Sequence, residues 1–240
     1  MAKSVFVAGT GTDIGKTYAS KMLLKNYAEL GHCVTYMKPV ETGCAQSADG
    51  EVLAGADTQS ILELAVCKTV DLSLHSPFRF APACSPHLAM EMSGRQIDMG
   101  EIVSAYEKLN EATSADITIV EGVGGILTPL NKKGMYVADI IKALAIPAML
   151  VVAPTLGTLN LTFMSLHIFK HYNIPVAGII INNAYNMERD FIYEDNIKTI
   201  RNHIDPVPCL DINYNDMSKE HLSSDTRLLT GLFDEIATRR

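Results

Sequence analysis

Five short, nearly continuous apolar runs recur along the chain, and longer stretches with helical periodicity separate them. The runs cover residues 5–8, 34–37, 117–120, 148–152 and 176–181. Runs of this kind predict strands that are buried on both faces, as they are in parallel sheets. Parallel neighbours need crossover connections, and helices are predicted over residues 17–30, 57–66, 98–112, 135–144 and 159–172. The alternation predicts an α/β fold with a doubly wound, mostly parallel sheet.

The composition is that of a chain with a sizeable core. Of its 240 residues, 48% are hydrophobic and 20% are charged, which excludes general disorder. No repeat, low-complexity tract or linker divides the sequence, so one domain is predicted over residues 1–240. The net charge of -7 and the lack of a lysine and arginine run argue against nucleic acid as a partner.

The cysteines and the apolar runs bear on the cellular location. The five cysteines show no Cys-x-x-Cys spacing, and their odd number predicts reduced thiols and a cytoplasmic protein. The start of the chain lacks the cationic and apolar segments of a signal peptide. The longest apolar run, residues 143–154, has 12 residues and includes Pro147 and Pro154, so no membrane span is predicted.

The first apolar run leads directly into Gly-Thr-Gly-Thr-Asp-Ile-Gly-Lys-Thr at residues 9–17, and a predicted helix follows. In such a loop the backbone N–H groups and the helix N-terminus bind phosphate, Lys16 reaches the terminal phosphates, and the Thr17 hydroxyl ligates Mg²⁺. The usual spacing has glycine at position 10, where this chain has Thr10 between two glycines. The combination of strand, loop and helix favours a nucleoside triphosphate site over an ordinary tight turn.

Three more charged side chains lie where predicted strands or helices begin or end. Glu121 follows the third apolar run and precedes three glycines in four residues, which suits either a Mg²⁺ ligand or the cap of a turn. Asp57 begins a predicted helix and is either a further metal ligand or the helix N-cap. Pro39 ends the second strand, so Lys38 is predicted at the functional edge of the sheet, with an exposed surface lysine as the alternative.

Taken in order, seven segments make the chain resemble the dethiobiotin synthetase family. They are residues 9–17, 37–43, the surroundings of Asp57, 85–89, 120–125, 157–160 and 178–182. The resemblance covers most of the chain and implies a P-loop NTPase-like subunit of a homodimer. It also implies a ligase that uses ATP and Mg²⁺ to close the ureido ring of dethiobiotin from 7,8-diaminononanoate and CO₂ or bicarbonate. The implied route runs through a carbamate and a carbamic–phosphoric anhydride and releases ADP and phosphate.

The resemblance also assigns roles to individual residues. It implies that Thr17, Asp57 and Glu121 hold the metal. The implied catalytic residues are Lys38, Lys16 and Thr12. The implied nucleotide contacts are Thr12, Asp13, Ile14, Gly15, Lys16, Thr17, Tyr18, Asp57, Glu121, Gly122, Val123, Gly124, Asn182 and Asn183. The implied substrate contacts are Lys38 and Thr42, together with Gly157, Thr158, Leu159 and Asn160 from the partner subunit across the dimer interface.

Two other classes of ATP-using protein share features with this sequence. P-loop ATPase partner switches, which act in plasmid partitioning and division-site placement, carry an extra loop lysine at the position of Gly11, so the sequence disfavours them. Cobyrinic-acid-type amide synthetases append a glutaminase domain, for which 240 residues leave no room. Residues 211–225 show no motif for base contacts, so the preferred base stays open. His167 and His171 lie four residues apart on a predicted helix, which favours packing or an interface over a metal site.

Overall fold

The structure is a computed structural model that describes residues 3–64, 67–68 and 70–214. In this part of the chain it has eight strands: β1 (Lys3–Gly9), β2 (Val34–Met37), β3 (Val40–Thr42), β4 (Phe78–Phe80), β5 (Ile117–Glu121), β6 (Ala148–Val152), β7 (Val176–Asn182) and β8 (Cys209–Ile212). Six of them form one parallel sheet in the order β2-β5-β1-β6-β7-β8, and β3 pairs with β4 in a second, two-stranded sheet. The predicted α/β fold with a mostly parallel sheet is confirmed.

Eight helices connect these strands within the described residues. They are α1 (Lys16–Glu29), α2 (Ala56–Leu62), α3 (Leu72–His75), α4 (Pro86–Ser93), α5 (Met99–Thr113), α6 (Val137–Leu144), α7 (Thr158–Tyr172) and α8 (Phe191–Ile204). Successive helices α5, α6, α7 and α8 pack against one another in chain order. Within the described residues, none of the helices combines the length and the apolar character that crossing a membrane requires.

The two faces of the main sheet bury separate cores. Val5 and Val7 of β1 pack on one face with side chains of α1 and α2, whereas Phe6 and Ala8 pack on the other face with side chains of α4 to α8. This alternation follows from the period of two in a strand. Because β1 has a strand on each side and helices on both faces, its apolar residues are completely buried, which explains why they form an unbroken run.

The predicted strands and helices all occur; β2 and β6 have the predicted bounds, and the others have shifted ends. The strands β1, β5 and β7 extend by one residue at their carboxyl ends, to Gly9, Glu121 and Asn182. Helix α2 ends at Leu62, and the last two residues of its predicted range, 65–66, lie outside the described residues. The patterns do not predict β3, β4, β8, α3, α4 or α8. The prediction of one domain over residues 1–240 stays a prediction, since residues 215–240 lie outside the described part.

The prediction of five reduced thiols is wrong, because Cys33 and Cys67 form a disulfide. The two cysteines are 34 residues apart in sequence, but their Cα atoms lie 5.3 Å apart. The bond joins the residue before β2 to the segment that follows α2. Because the fold brings them together, the spacing of cysteines along the sequence does not reveal the pair. The remaining cysteines, Cys44, Cys84 and Cys209, take no part in this disulfide.

Candidate active site

The glycine-rich loop follows β1 at the carboxyl edge of the main sheet and ends at the first turn of α1. Gly15 is the N-cap of α1 and has a φ of 87°, a conformation that side chains disfavour. A Cβ at Gly15 would also lie 1.9 Å from Nδ2 of Asn182, so glycine is required there. Lys16 folds back and donates from Nζ to the carbonyl oxygen of Gly11, over 2.7 Å. The Lys16 ammonium is therefore bound by the backbone of its own loop.

The carboxylate of Glu121, at the end of β5, is the centre of the site. It is 1% exposed and accepts four hydrogen bonds from side chains. Its Oε1 accepts from Thr17 Oγ1 at 2.8 Å and from Lys38 Nζ at 3.0 Å. Its Oε2 accepts from Ser20 Oγ at 2.8 Å and from the Tyr36 hydroxyl at 3.1 Å. The donors belong to α1, β2 and the residue after β2, so Glu121 joins three segments rather than capping a turn.

Lys38 is a buried residue, 4% exposed, and not the surface lysine of the alternative interpretation. Its ammonium lies between two carboxylates and donates to Asp57 Oδ2 as well as to Glu121. Burial by itself lowers the pKa of Lys38, but the carboxylates of Glu121 and Asp57 outweigh burial and raise that pKa above its usual value. Lys38 therefore stays protonated over the physiological range.

Asp57 lies in the first turn of α2, whose N-cap is Gly55. The interpretation of Asp57 as the N-cap is therefore wrong by two positions. Its side chain is 44% exposed and bonded to Lys38. Burial raises the pKa of Asp57, but the neighbouring Lys38 ammonium outweighs this and holds the pKa below its ordinary value. Asp57 is consequently an ionised carboxylate that faces the cavity.

Lys16 and Lys38 lie in one site but differ in their surroundings. Burial is the largest influence on Lys16 and lowers its pKa to about 8, although the nearby Glu121 carboxylate acts in the opposite direction. The difference from Lys38 arises because Lys16 donates to a backbone carbonyl, whereas Lys38 donates to two carboxylates. Lys16 is therefore the cation whose charge is less completely balanced by the protein.

The three predicted metal ligands come together around one point. Thr17 and Glu121 share a hydrogen bond, and Lys38 connects Glu121 to Asp57. A hydroxyl and two carboxylates are the hard oxygen donors that suit Mg²⁺, which usually takes its remaining ligands from water and phosphate. The donor atoms of these residues therefore fit a divalent cation. In the described residues no group of three or more His, Cys, Asp or Glu could hold a metal, and His167 and His171 lie exposed on α7.

A cavity of about 930 Å³ opens beside these groups. Of the residues predicted for the site, it is lined by Thr12, Asp13, Gly15, Lys16, Thr17, Lys38, Thr42, Asp57, Glu121, Gly122, Val123 and Gly124. Its wall also includes residues that the sequence patterns do not assign: Glu41, Ala83, Cys84, Ser85, Pro86, Thr128 and Pro129. The segment 85–89 belongs to the family resemblance, and its first two residues, Ser85 and Pro86, line the cavity.

The glycines after Glu121 are explained by close contacts. Gly124 has a φ of 63°. The N–H of Gly125 donates to Thr128 Oγ1 at 2.8 Å, which tightens the turn. A Cβ at Gly125 would lie 3.3 Å from the carbonyl oxygen of Thr10, so the turn approaches the glycine-rich loop closely. The two loops together form one continuous wall of the cavity.

Some predicted residues do not line this cavity. Ile14 and Asn182 pair with each other, since Asn182 Nδ2 donates to the Ile14 carbonyl oxygen at 3.0 Å and so supports the glycine-rich loop. The carboxamide of Asn183 closes a local turn through two hydrogen bonds with the backbone of Met187. Tyr18 lies on α1 and packs against the core on the α1 face. Contacts of these residues with a nucleotide stay predictions.

The segment 157–160 lies at the N-terminus of α7, also outside the lining of the cavity. Gly157 is the N-cap of α7, with a φ of 89°. Leu156 before it is 98% exposed, and Leu161 and Met164 on α7 are exposed as well. The chain therefore presents a glycine turn and an apolar strip on its surface. A role of this turn in binding substrate needs a second subunit and stays a prediction.

The strand order, the glycine-rich loop and the cavity define a P-loop α/β protein of the nucleoside triphosphate-binding type. The family described as "AAA domain" matches residues 3–212. The chain is 35% identical over 218 residues to the ATP-dependent dethiobiotin synthetase BioD of Thermodesulfovibrio yellowstonii, with 88% of each chain covered. It is 34% identical to that of Clostridium botulinum, with 92% of this chain and 94% of the relative covered. The chain belongs to the ATP-dependent dethiobiotin synthetase family, which confirms the resemblance and the prediction of an enzyme.

Solved structures with the same fold come from proteins with other names. The MinC:MinD cell division complex of Aquifex aeolicus gives a TM-score of 0.56 at 12% identity, with 100% of this chain and 97% of that chain covered. The signal recognition particle receptor FtsY of Elizabethkingia anophelis gives 0.54 at 13% identity, covering 97% and 66%. At these identities the likeness shows the fold alone.

Proposed function

We propose that the protein is an ATP- and Mg²⁺-dependent ligase that forms dethiobiotin from 7,8-diaminononanoate and CO₂ and releases ADP and phosphate. One observation carries the proposal: the buried ammonium of Lys38 lies beside the glycine-rich loop, at the wall of a cavity of about 930 Å³. A fixed cation at this position suits an acceptor that is itself an anion, as a carbamate is. Membership of the dethiobiotin synthetase family supports the particular substrates.

The proposed reaction has three steps. One amine of the diamine adds to CO₂ and loses a proton, which gives a carbamate. A carbamate oxygen then attacks the γ-phosphorus of ATP, and ADP leaves, which gives a carbamic–phosphoric anhydride. The second amine attacks the carbonyl carbon of this anhydride; the new C–N bond closes the ring as the C–O bond to phosphate breaks, and the amine proton is lost.

The protein contributes mainly position and charge, as expected for phosphoryl transfer. In this proposal Lys16 binds the terminal phosphates after it gives up its contact with the Gly11 carbonyl. Thr12, Lys38 and Thr42, which line the cavity, bind the carbamate and the diamine. The backbone of the turn after Glu121 borders the nucleotide. Asn182 and Asn183, near the carboxyl end of β7, are proposed to lie on the base side of the site.

Thr17, Asp57 and Glu121 are the residues proposed to hold Mg²⁺. When bound, the metal supplies positive charge to the phosphoryl group that is transferred. The burial of Glu121 and the hydrogen bonds from Ser20 and Tyr36 fix its carboxylate in one orientation. Donor type supports the assignment, because the set offers only oxygen atoms and two of the three groups are carboxylates.

We also propose a homodimer in which the turn at Gly157 completes the substrate site of the partner subunit. The exposed Leu156, Leu161 and Met164 beside this turn support an interface there, and the backbone N–H groups at the start of α7 suit a carboxylate. Mixing two inactive variants, Lys38→Ala and Gly157→Trp, is expected to restore part of the activity, because one site of the heterodimer is then intact. Heterodimers that form but stay inactive would contradict shared sites.

A cytoplasmic location stays a prediction. The Cys33–Cys67 disulfide counts against the cysteine argument for it, since disulfides are rare in reducing compartments. Alkylation of thiols at the moment of cell lysis tests the location: a cytoplasmic protein is expected to have both cysteines alkylated. Full protection of both would contradict the prediction.

The test of the ligase proposal is a stoichiometric assay with ATP, Mg²⁺, 7,8-diaminononanoate and bicarbonate. Phosphate and dethiobiotin are expected in equal amounts, and Lys16→Ala or Lys38→Ala is expected to suppress both. Lys142→Ala, which removes an exposed lysine on α6, is the matched control and should retain full activity. Phosphate release that does not depend on the diamine would contradict the ligase and indicate an ATPase of the partner-switch class.

A further inference from the structure

Glu41, in the short strand β3, is a buried carboxylate that no predicted role uses. It is 3% exposed, although it contributes to the wall of the cavity. Both of its oxygens accept hydrogen bonds from one residue of α2: Oε1 from the Thr58 backbone N–H at 3.2 Å, and Oε2 from the Thr58 hydroxyl at 2.6 Å. Because both oxygens face Thr58, Glu41 is engaged by α2 rather than presented as a ligand.

The N-terminus of α2 lacks a cap of its own. An N-cap side chain normally accepts a hydrogen bond from the second or third N–H of the helix, but the N-cap here is Gly55, which has no side chain. Thr58 is the third residue of α2, so Glu41 supplies that bond from another strand. A carboxylate is also the group that the positive end of a helix favours.

The fit between Glu41 and α2 leaves no spare room. A Cβ at Gly55 would lie 2.2 Å from Cδ of Glu41. Thr58 is completely buried, so its hydroxyl has no access to solvent as an alternative partner. Glu41 therefore fixes the first turn of α2 against β3 through close packing and two hydrogen bonds.

Asp57 lies between Gly55 and Thr58, so the contacts of Glu41 with these two residues also hold Asp57 in place. Its carboxylate contacts Lys38, which lies three residues before Glu41 in the same segment. The segment 38–41 thus holds the first turn of α2 at two points, once through Lys38 and once through Glu41. We propose that Glu41 is a positioning residue that fixes Asp57 for the divalent cation; this inference rests on the metal site of the proposed function.

Metal binding tests this proposal without the ligase reaction. The measurement is Mn²⁺ binding, followed by electron paramagnetic resonance, to protein saturated with the ATP analogue AMP-PNP. Binding of a fluorescent ATP derivative in EDTA measures the site without metal. Loss of an outer-shell partner commonly weakens metal binding roughly 10- to 100-fold, and about tenfold is expected for Glu41→Ala and Thr58→Val. Binding of the fluorescent nucleotide in EDTA is expected to be unchanged.

Two conservative variants separate positioning from charge. Thr58→Ser keeps both donors and should bind Mn²⁺ as the wild type does. Glu41→Gln keeps an oxygen for the Thr58 N–H and should lose less affinity than Glu41→Ala. The proposal is overturned if Glu41→Gln loses as much Mn²⁺ affinity as Glu41→Ala while Thr58→Val keeps the wild-type affinity. The charge of Glu41 alone, and not its contact with Thr58, would then support metal binding.

Two further results would also overturn it. One is unchanged Mn²⁺ affinity in both Glu41→Ala and Thr58→Val; if Glu41→Ala does not fold, Thr58→Val decides alone. The other is a parallel loss of nucleotide binding in EDTA, which would indicate general damage to the site. Failure of the proposed function is distinguishable, since wild-type protein would then bind Mn²⁺ and AMP-PNP normally but form no dethiobiotin.

Discussion

Replacing Lys38 by methionine removes one charge from the centre of the site and keeps the length of the side chain. Glu121, at 1% exposure, then loses the hydrogen bond from the Lys38 ammonium but keeps the hydroxyl donors Thr17, Ser20 and Tyr36. Removing one partner of a buried ion pair commonly costs about 3–5 kcal/mol. We expect about 3 kcal/mol, at the lower end, because the three hydroxyls remain and because Asp57 is partly exposed.

The expected loss is large enough to measure by thermal unfolding. For a chain of this size, about 1 kcal/mol shifts Tm by roughly 2–4 °C, so Lys38→Met should lower Tm in EDTA by roughly 6–12 °C. Mg²⁺ should restore more stability to the variant than it adds to the wild type. The reason is that a divalent cation supplies the missing charge in the variant, whereas in the wild type it competes with the Lys38 ammonium for the same carboxylates.

Lys16→Met is the matched control for this experiment. It also removes a buried ammonium from the site, but this ammonium donates to the Gly11 carbonyl and not to a carboxylate. Burial already lowers the pKa of Lys16, so its removal relieves a desolvation cost and should affect stability less. The reasoning is refuted if Lys38→Met is as stable as the wild type in EDTA, or if Mg²⁺ raises the Tm of both by the same amount.

Three further predictions concern other features of the fold. Reduction of the Cys33–Cys67 disulfide frees a loop with a separation of 34 residues and should cost about 4 kcal/mol in chain entropy; a reductant should therefore lower Tm in the wild type and not in Cys33→Ser. Burial lowers the pKa of His75. The stability that neutral His75 contributes is therefore complete above its usual pKa of about 6.5 and is lost as the pH falls below that value. Between pH 7 and pH 5, the free energy of unfolding measured in urea should fall less for His75→Gln than for the wild type. Gly15→Ala should abolish nucleotide binding in a fluorescence titration, because Gly15 has a positive φ and the new Cβ would clash with Asn182. Gly31→Ala is the control and should retain binding, since Gly31 also has a positive φ but open space around it.

Five strands of the main sheet, β1, β2, β5, β6 and β7, were predictable because their residues are almost all buried, which favours nearly continuous apolar runs. The sixth, β8, is only half-buried and carries Asp211, so it shows no such run. The same reasoning fails for β3 and β4, which have three residues each and carry charged residues such as Glu41 and Arg79. A strand this short has no periodicity to detect. Its place depends on pairing with a strand some 38 residues away in sequence.

The site shows the same division between local and tertiary information. The glycine-rich loop is local, so its anion-binding role follows from the order of residues 9–17. Asp57 and Lys38 each had two interpretations; the start of α2 at Ala56 excludes Asp57 as the N-cap, and burial excludes Lys38 as a surface lysine. Glu41 has no motif at all, because its partner Thr58 reaches it only through the fold.

The different partners of the two lysines imply an order in which the site responds to its ligands. Lys16 donates to one neutral carbonyl oxygen, so a polyphosphate that binds this ammonium replaces a hydrogen bond to an uncharged group. Lys38 is held by two carboxylates, and moving it towards a carbamate would leave Glu121 buried without a cation. Such a move becomes favourable only when another cation occupies the position between Glu121 and Asp57. Under the proposed function, nucleotide and metal would therefore bind before Lys38 engages the acceptor, so that the anionic acceptor would meet a free ammonium only when phosphate is ready to be transferred.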